Sequence, residues 1–298
     1  LSRELSMAVY RSSFAALTAA ALFLSGCQVA DDPTAASSAA VSSMGSAVDG
    51  AGLVQILERQ APDTQERFGA RHPRETLEFF GIAPGMTVVE ALPGGGWYTK
   101  ILAPYLGEEG TVVGADYDPE LYPLFGFMSA EQLAAKDSWV ADWTTEARAW
   151  FDGDAATIDA FQFGSLPARL DGQADAVLFI RALHNLARFE SRGGFLTEAL
   201  AESYRVLKPG GIVGVVQHMA PEDAPDDWAD GSAGYLKKSH VVAKLEAAGF
   251  EFVAESPVNV NPKDQPTPED IVWRLPPTLA LSRDNPEQAA KFREIGES

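Results

Sequence analysis

Two acidic residues and a run of glycines have types and spacing that could hold a small ligand. Glu90 lies near the end of a short apolar run, Gly94, Gly95 and Gly96 follow it, and Asp116 ends a second apolar run about 20 residues further on. Glycines let the backbone approach a ligand without a side chain in the way. A carboxylate at the second position can accept both hydroxyls of a ribose. The alternatives are a tight turn without a ligand and a turn-forming role for Asp116.

The charge of this loop distinguishes between two classes of ligand that contain ribose. A dinucleotide pyrophosphate favours a G-x-G-x-x-G loop and a helix N-terminus free of anions. Here Thr99 stands three residues past Gly96, and Glu90 places a carboxylate near the loop. S-adenosylmethionine carries no phosphate, and its ammonium and sulfonium groups tolerate carboxylates. The loop therefore favours S-adenosylmethionine over a nicotinamide dinucleotide. Glu90 could also be satisfied by backbone N–H groups of the turn.

Two histidines, His184 and His218, follow or end later apolar runs and are candidates for a general base. A transfer reaction needs a base only where the acceptor must lose a proton. His184 is the first choice; the alternatives are a helix cap for His184 and an edge histidine with satisfied hydrogen bonds for His218. Trp97 either packs on a cofactor or staples the following helix, and Tyr235 either lines an acceptor pocket or belongs to the core.

Other catalytic classes lack their residues in this sequence. The four histidines are scattered and there is one cysteine, so no metal cluster is predicted. No G-x-S-x-G turn follows a predicted strand, which excludes a Ser-His-Asp hydrolase of the nucleophile-elbow type. The net charge of −19 is not offset by any cluster of Lys and Arg, and nucleic acid is therefore excluded as a partner. A small-molecule substrate remains.

Apolar runs rich in β-branched residues alternate with segments of helical periodicity along most of the chain. The runs are typical of buried parallel strands and comprise residues 86–92, 111–116, 174–180, 210–218 and 251–256. The alternation predicts an α/β fold, a doubly wound, mostly parallel Rossmann-like sheet with helices on both faces. Ligands of such sheets bind beyond the carboxyl ends of the strands, where the candidate residues lie.

Two regions interrupt this alternation. Residues 118–157 are rich in aromatic side chains and form a long connection after the second strand, which we interpret as a helical insertion that caps the ligand crevice. Residues 257–298 are rich in proline, which disfavours central strands. Residues 270–275 are the one strand candidate there. Either they form the closing antiparallel strand, or the chain is a piece of a longer one.

Five segments, taken in order, carry a resemblance to a known family. They are "VVEALPGGG", "VVGADYDP", "ADAVLFIRALHNL", "RVLKPGGIVGVV" and "KLEAAGF". Over residues 70–256 the chain resembles class I S-adenosylmethionine-dependent methyltransferases, and within them a poorly characterised group often made with signal sequences. The resemblance implies S-adenosylmethionine as the cofactor. It implies cofactor contacts from the first motif, with Glu90, Gly94, Gly95 and Gly96, and from the ribose acid Asp116; Trp97 and Tyr117 beside them are further candidate contacts. Leu92 stands where the family motif E-x-G-x-G-x-G has its first glycine, which predicts a locally different turn.

The beginning of the chain has the pattern of an exported lipoprotein. A basic segment, an apolar run and "LSGC" make residues 1–27 a processing segment that starts in effect at Met7 and ends at Cys27. The apolar run is too short to span a ~30 Å hydrocarbon layer as a helix. The pattern resembles a bacterial lipoprotein signal. It implies a lipid anchor on Cys27 and, with Gln28 next, a periplasmic position at the outer membrane. An ordinary cleaved signal is the alternative.

The rest of the chain divides into three parts. Residues 28–52 are an Ala- and Ser-rich tether, residues 53–276 form the methyltransferase-like domain with its insertion at about 118–157, and residues 277–298 form a tail. The predicted function is S-adenosylmethionine-dependent methyl transfer to a small-molecule acceptor by an exported, lipid-anchored protein. The alternative is a non-catalytic module that binds a small ligand on the same fold.

Overall fold

The computed structural model describes Met7–Ser12 and residues 50–297. Seven of its strands form one sheet, and a separate pair of two-residue strands, β7 and β8, lies beside it. In chain order the strands are β1 (Met7–Ser12), β2 (Thr87–Ala91), β3 (Thr111–Asp116), β4 (Thr157–Gln162), β5 (Ala174–Ile180), β6 (Leu207–Val216), β7 (Met219–Ala220), β8 (Leu236–Lys237) and β9 (Phe250–Ser256).

The main sheet has the strand order β4-β3-β2-β5-β6-β1-β9. The strands from β4 to β6 are parallel, and β1 runs antiparallel to both of its neighbours. The chain builds outward from β2 in one direction and then returns to β5 on its other side. The order therefore reverses between β2 and β5, and a crevice is expected beyond their carboxyl ends. The prediction of a doubly wound, mostly parallel sheet is confirmed.

Helices cover both faces of the sheet. They are α1 (Gly50–Glu58), α2 (Pro62–Gln65), α3 (Phe68–Arg71), α4 (Pro73–Phe79), α5 (Thr99–Leu106), α6 (Ala130–Ala134), α7 (Trp139–Arg148), α8 (Leu183–Ala187), α9 (Glu190–Gly193), α10 (Phe195–Val206), α11 (Lys238–Ala247) and α12 (Pro286–Ile295). Neighbouring strand residues alternate between two apolar clusters: Val88 and Val112 face α1, α4, α5 and α7, whereas Val89 and Val113 face α8, α10 and α11. Both faces are buried, which explains the unbroken apolar runs of these strands. None of the described helices combines the length and the apolar character needed to cross a membrane.

Strand β1 lies inside the sheet, which differs from the prediction that residues 1–27 are a processing segment outside the fold. Met7, Val9 and Tyr10 are at most 2% exposed and join both apolar clusters. Alternating apolar and aromatic side chains suit this position between β6 and β9. The remainder of the predicted processing segment, including Cys27, and residues 28–49 of the predicted tether lie outside the described residues.

The prediction of a closing strand at residues 270–275 is wrong. This segment contains a short 3-10 helix, Val272–Arg274, and no strand. Arg274 is 2% exposed and forms ion pairs with Asp264, at 2.7 Å, and with Asp270, at 2.9 Å. A buried charge needs such partners, and they hold the segment in a compact turn. The antiparallel position that it was expected to fill belongs to β1.

Residues 118–157 contain helices α6 and α7, and α7 is part of the sheet layers rather than of a cap. Helix α7 packs on β4, and its Trp143 is 4% exposed within the cluster that also contains α5. A crossover between parallel strands needs a helix on the sheet face, and α7 fills this role between β3 and β4. The aromatic side chains of α7, Trp139 and Trp143, therefore pack in the core of the domain.

Candidate functional site

The candidate residues gather at the carboxyl edge of the sheet. The glycine loop follows β2, Asp116 ends β3, Arg181 follows β5, and His218 lies two residues past β6. The backbone N–H of Leu92 donates to the carbonyl of Ala115 at 2.7 Å. This bond continues the pairing of β2 with β3 and brings the glycine loop beside Asp116.

The three glycines of the loop have two different roles. A Cβ added at Gly94 or Gly95 would meet no atom within 4 Å, and both residues are exposed. A Cβ at Gly96 would lie 2.1 Å from the ring of Trp150, and Gly96 has a φ of +74°. Gly94 and Gly95 thus leave backbone open to a ligand, while Gly96 makes room for Trp150. The indole Nε1–H of Trp143 donates to Gly94 O at 3.2 Å and holds the loop from below.

Leu92 has a φ of +54°, in the left-handed region that glycine adopts without strain. An L side chain in this region costs roughly 1–2 kcal/mol. Its side chain is half-buried and packs against the apolar cluster of α8 and α10. The turn therefore keeps a glycine-like backbone despite the leucine. The prediction of a turn that differs locally from that of the family stays a prediction.

Glu90 is buried at the base of the glycine loop. It is 6% exposed, and the hydroxyl of Thr99 donates to its Oε2 at 2.6 Å. Burial raises the pKa of Glu90 to about 8, while the bond from Thr99 and the charge of Arg71 act in the opposite direction. The carboxyl is thus mostly protonated at pH 7. It contributes a hydrogen-bonding group rather than a full negative charge to the site.

Changing Glu90 to Gln should change how stability depends on pH. An unfolded glutamate ionises near pH 4.5, while folded Glu90 keeps its proton up to about pH 8. The folded state thus binds more protons over this interval, and stability falls as pH rises through it. Denaturant unfolding should show that Glu90→Gln is at least about 1 kcal/mol more stabilising at pH 9 than at pH 5. The exposed control Glu109→Gln should show no such difference, and equal effects of both changes would contradict the buried, protonated state.

Asp116 lies at the end of β3 with partners of its own. It is 7% exposed; the hydroxyl of Tyr122 donates to its Oδ2 at 2.6 Å, and Lys136 Nζ lies 3.7 Å away. Burial raises its pKa, against the hydrogen bond from Tyr122. Tyr117, predicted beside it, packs edge-on against Tyr122 and Phe125. Asp116 thus lies beside a group of three aromatic side chains. A bound ribose would share the Asp116 carboxylate with Tyr122 and Lys136.

The two candidate bases lie next to each other. The rings of His184 and His218 have centroids 5.6 Å apart. Gln217 donates through Nε2 to the carbonyls of His218 and Gly234, so its Oε1 faces His184 and lies 3.3 Å from Nδ1. This contact assigns the proton of His184 to Nδ1 and leaves Nε2 as an acceptor. Burial lowers the pKa of His184 to about 4 and that of His218 well below its usual range. Both rings are therefore neutral at pH 7.

Trp97 and Tyr235 are placed differently from the ligand-facing alternatives. Arg71 stacks over the ring of Trp97 at 4.6 Å, and Phe68 packs edge-on against it. The Trp97 ring thus joins the glycine loop to α3, while its Nε1–H is buried and has no acceptor among the residues that the structure describes. Tyr235 stacks on Trp228, and its hydroxyl contacts Asp264 at 3.0 Å and accepts from Arg274 at 2.7 Å. Tyr235 therefore belongs to the buried ion-pair group around Arg274.

Sequence reasoning missed two arginines at this edge. Arg181 directly follows β5. Because ligands of parallel sheets bind beyond the carboxyl ends of the strands, the sequence could have identified this residue as a candidate. It has a φ of +56° and donates through Nη2 to Ala70 O at 3.1 Å. Arg71 comes from α3, before the first parallel strand. No spacing in the sequence indicates that it reaches the glycine loop.

The residues at this edge fit S-adenosylmethionine. At Gly94 and Gly95 the backbone is open, and a Cβ at either position would reduce the space for a ligand. The buried N–H of Trp97 has no acceptor among the described residues and is available to a ligand. Asp116 supplies a carboxylate for ribose hydroxyls, as at other nucleoside sites. Glu90, neutral at pH 7, does not oppose a carboxylate nearby. These residues would hold the cofactor between β2 and β3.

Comparisons with known proteins agree with this arrangement. Residues 89–215 match a family described as a methyltransferase domain. The arsenite methyltransferase of Halobacterium salinarum is 29% identical over 196 residues, which cover 63% of this chain and 42% of that relative. The chain therefore spans less than half of the length of this relative.

Two solved structures resemble the chain loosely. An arsenic (III) S-adenosylmethionine methyltransferase from Chlamydomonas reinhardtii has a TM-score of 0.40 and 18% identity, over 66% of this chain and 61% of its own. A SAM-dependent methyltransferase from Aquifex aeolicus has a TM-score of 0.42 and 16% identity, over 68% and 98%. These likenesses carry no argument about activity. The matched residues 89–215 include the glycine loop, Asp116 and the segment after β5, and over this range the chain is similar to the methyltransferase domain family.

Proposed function

We propose that the protein transfers the methyl group of S-adenosylmethionine to a nucleophilic atom of a small molecule. The observation that carries this proposal is the placement of the open backbone of Gly94 and Gly95, in the loop after β2, beside the buried carboxylate of Asp116 at the end of the neighbouring strand β3. The bound cofactor supplies an electrophilic methyl group on a sulfonium. The chain supplies position, because in-line displacement is accelerated chiefly by holding the reactants in line.

The residues around the crevice have distinct proposed roles. Gly94 and Gly95 present backbone to the cofactor, and Asp116 accepts hydrogen bonds from its ribose. His184 and His218 are neutral at pH 7 and can each accept a proton from an acceptor that must lose one. Of the two, His184 is 3% exposed and has Nδ1 bound to Gln217, whereas His218 is half-buried and more open to an acceptor.

The acceptor is proposed to be an organic molecule rather than a metalloid. The name of the halobacterial relative raises arsenite as an acceptor. Arsenic(III) is a soft centre, and thiolates are the side chains that suit soft centres. The given sequence has one cysteine, Cys27, far from the parallel strands along the chain. Thiolate capture of a metalloid at this edge of the sheet is therefore not supported.

Ligand titration of the purified chain tests the proposal. S-adenosylmethionine and S-adenosylhomocysteine should bind with micromolar dissociation constants, and NAD should not. Asp116→Ala should weaken both at least tenfold, about 1.4 kcal/mol, because it removes a charged acceptor of ribose hydroxyls. The matched control Asp118→Ala, in the exposed turn two residues on, should leave affinity within threefold. Binding of NAD alone would refute the proposal, and cofactor binding without transfer to any acceptor would favour the binding module.

We also propose, from the sequence alone, that the protein is exported and anchored through a lipid on Cys27. Processing before Cys27 would separate β1 from the domain and leave β6 and β9 without the strand between them. A single chain that is cleaved before Cys27 and lipid-anchored therefore cannot also keep residues 7–12 as strand β1 of its sheet. Mass spectrometry of the membrane fraction decides the matter: a diacylglyceryl group on Cys27 supports the anchor, and an intact chain with an unmodified Cys27 refutes it.

A further inference from the structure

Three arginines from two parts of the chain converge on one carboxylate. Glu297 Oε1 lies 2.5 Å from Arg67 Nη2, 3.0 Å from Arg71 Nε and 3.0 Å from Arg181 Nη1. Its Oε2 accepts from Arg67 Nε at 2.9 Å. The four side chains are between 11% and 28% exposed. We call Arg67, Arg71 and Arg181 the arginine cluster. Paired guanidinium N–H groups are the donors that best match a carboxylate or another oxyanion.

The arginine cluster carries more positive charge than Glu297 can balance. Three guanidinium groups meet one carboxylate, which leaves two positive charges in a chain whose net charge is −19. Glu90, the buried acid that interacts with Arg71, is mostly protonated at pH 7 and does not offset them. Burial and the neighbouring Arg71 lower the pKa of Arg181 to about 10, so it is still charged. Partly buried like charges are costly to hold together, so the cluster requires an anion at its centre, either Glu297 or a carboxylate that takes its place.

The arginine cluster lies at the candidate site. Arg181 follows β5, beside the reversal of strand order. Its positive charge contributes to the lowered pKa of both His184 and His218. Arg71 stacks on Trp97, the residue that follows the glycine loop. The cluster therefore faces the β5 side of the crevice, whereas Asp116 ends β3 on the other side of β2. An anion held by the arginines would sit beside the candidate bases.

Glu297 belongs to a segment with few attachments to the domain. Helix α12, which precedes it, has one buried residue, Ala289. Beyond the ion pairs of Glu297, the end of this segment is held by Asn261 Nδ2, which donates to the carbonyls of Ile295 and Glu297, and by Lys263 Nζ, which donates to Glu294 O. Arg181, in contrast, directly follows strand β5 of the sheet and donates to the carbonyl of Ala70, and Arg71 stacks on Trp97 beside the glycine loop. The carboxylate can therefore leave while the arginine cluster keeps its place.

We propose that the arginine cluster binds an anionic group of the methyl acceptor, a carboxylate in the simplest case, and that Glu297 occupies this site until the acceptor displaces it. The proposal rests on the proposed methyltransferase function and names its acceptor class: a small organic acid. Glu297 then acts as a built-in competitor of the acceptor. Release of the segment after α12 opens the site, and the acceptor replaces one carboxylate by another with no change in charge.

The test uses the full chain and a pair of probes that differ in charge. Benzoate supplies the carboxylate, and benzamide is its neutral counterpart of similar shape. In Glu297→Gln, calorimetry should show benzoate binding at least tenfold tighter than in the unchanged chain, while benzamide binding stays weak in both. Glu294→Gln removes the same charge from an exposed position one turn earlier and should behave like the unchanged chain. Adding Arg67→Gln, at the most exposed of the arginines, should abolish the gain without unfolding the domain.

Three results would overturn the proposal. Equal binding of benzoate and benzamide, or equal benzoate affinity in Glu297→Gln and Glu294→Gln, would show that the arginines do not hold an anion that competes with Glu297. The dissociation constant of S-adenosylmethionine should stay within threefold in all variants. A tenfold tightening in Glu297→Gln that Arg67→Gln removes would assign the cluster to the carboxylate of the cofactor instead. Absence of cofactor binding in every protein would refute the proposed function, and the benzoate series would still decide whether the arginines form an anion site.

Discussion

Replacing Gly96 with alanine is expected to lower the free energy of unfolding by about 3 kcal/mol, the sum of overpacking and a left-handed backbone. The new Cβ would lie 2.1 Å from one ring atom of Trp150 and 2.4 Å from another, and Gly96 has a φ of +74°. Trp150 also packs against Trp143 and carries Lys100 over its ring at 4.4 Å, so it has little freedom to move away. Urea denaturation at constant pH measures this loss.

The control for this prediction is the neighbouring glycine. Gly95 has no positive φ, and a Cβ there would meet no atom within 4 Å. Gly95→Ala should therefore change stability by no more than about 0.5 kcal/mol. It should, however, weaken S-adenosylmethionine binding at least threefold, because its methyl group enters the backbone surface left open for the ligand. Equal stability losses in Gly96→Ala and Gly95→Ala would show that contact with Trp150 does not make Gly96 less tolerant of a Cβ than Gly95.

The core of the fold could be predicted because its signals are local. Runs such as residues 111–116 and 174–180 are apolar on both faces, which happens only in strands covered on both sides. Their observed bounds, Thr111–Asp116 and Ala174–Ile180, agree with those runs. The residues at their carboxyl ends follow from the same reasoning, since parallel strands present all of these ends at one edge. Asp116 and His218 were identified in this way.

The parts that could not be predicted depend on contacts between distant segments. Arg67 and Arg71 meet Glu297 across more than 200 residues of chain, and no spacing in the sequence encodes that meeting. Trp150 fills the space above Gly96 for the same reason. A glycine next to a tryptophan and a glycine next to a ligand have the same sequence signal. The triplet therefore indicated a loop, but not which glycine faces outward.

The role of residues 7–12 illustrates a different limit. Their apolar and aromatic alternation fits both the start of an export signal and a buried strand. The resemblance of the following residues to a lipoprotein signal favoured the first interpretation. The position between β6 and β9 needs an antiparallel strand, and residues 270–275 are held elsewhere by Arg274. The choice between the two interpretations depends on what occupies that position, which is a property of the whole sheet.

Loss of β1 is expected to have the largest effect on stability. Met7, Val9 and Tyr10 are at most 2% exposed, and burying such side chains contributes roughly 1.5–3 kcal/mol each. Their removal thus costs about 6 kcal/mol, a large share of the 5–15 kcal/mol that holds a typical domain together. Strand β9 also loses the one strand that pairs with it among the described residues. A chain that begins at Cys27 should therefore unfold at much lower urea concentration than the full chain, with a near-ultraviolet dichroism signal weakened before denaturation.

Single substitutions separate the strand from the general effect of shortening the chain. Tyr10→Ala in the full chain should cost about 4 kcal/mol, as other fully buried aromatic side chains do. Its partner Phe252, which contacts the Tyr10 ring edge-on at 5.6 Å, is 41% exposed, and Phe252→Ala should cost less than half as much. If Tyr10→Ala lowers the free energy of unfolding no more than Phe252→Ala does, and the chain from Cys27 is as stable as the full chain, then β1 is dispensable for stability. Lipid anchoring at Cys27 would then be compatible with the folded domain. A large loss of stability both in Tyr10→Ala and in the chain from Cys27 means that an exported, processed form must obtain a strand at this position from another source or leave β6 and β9 without the strand that joins them.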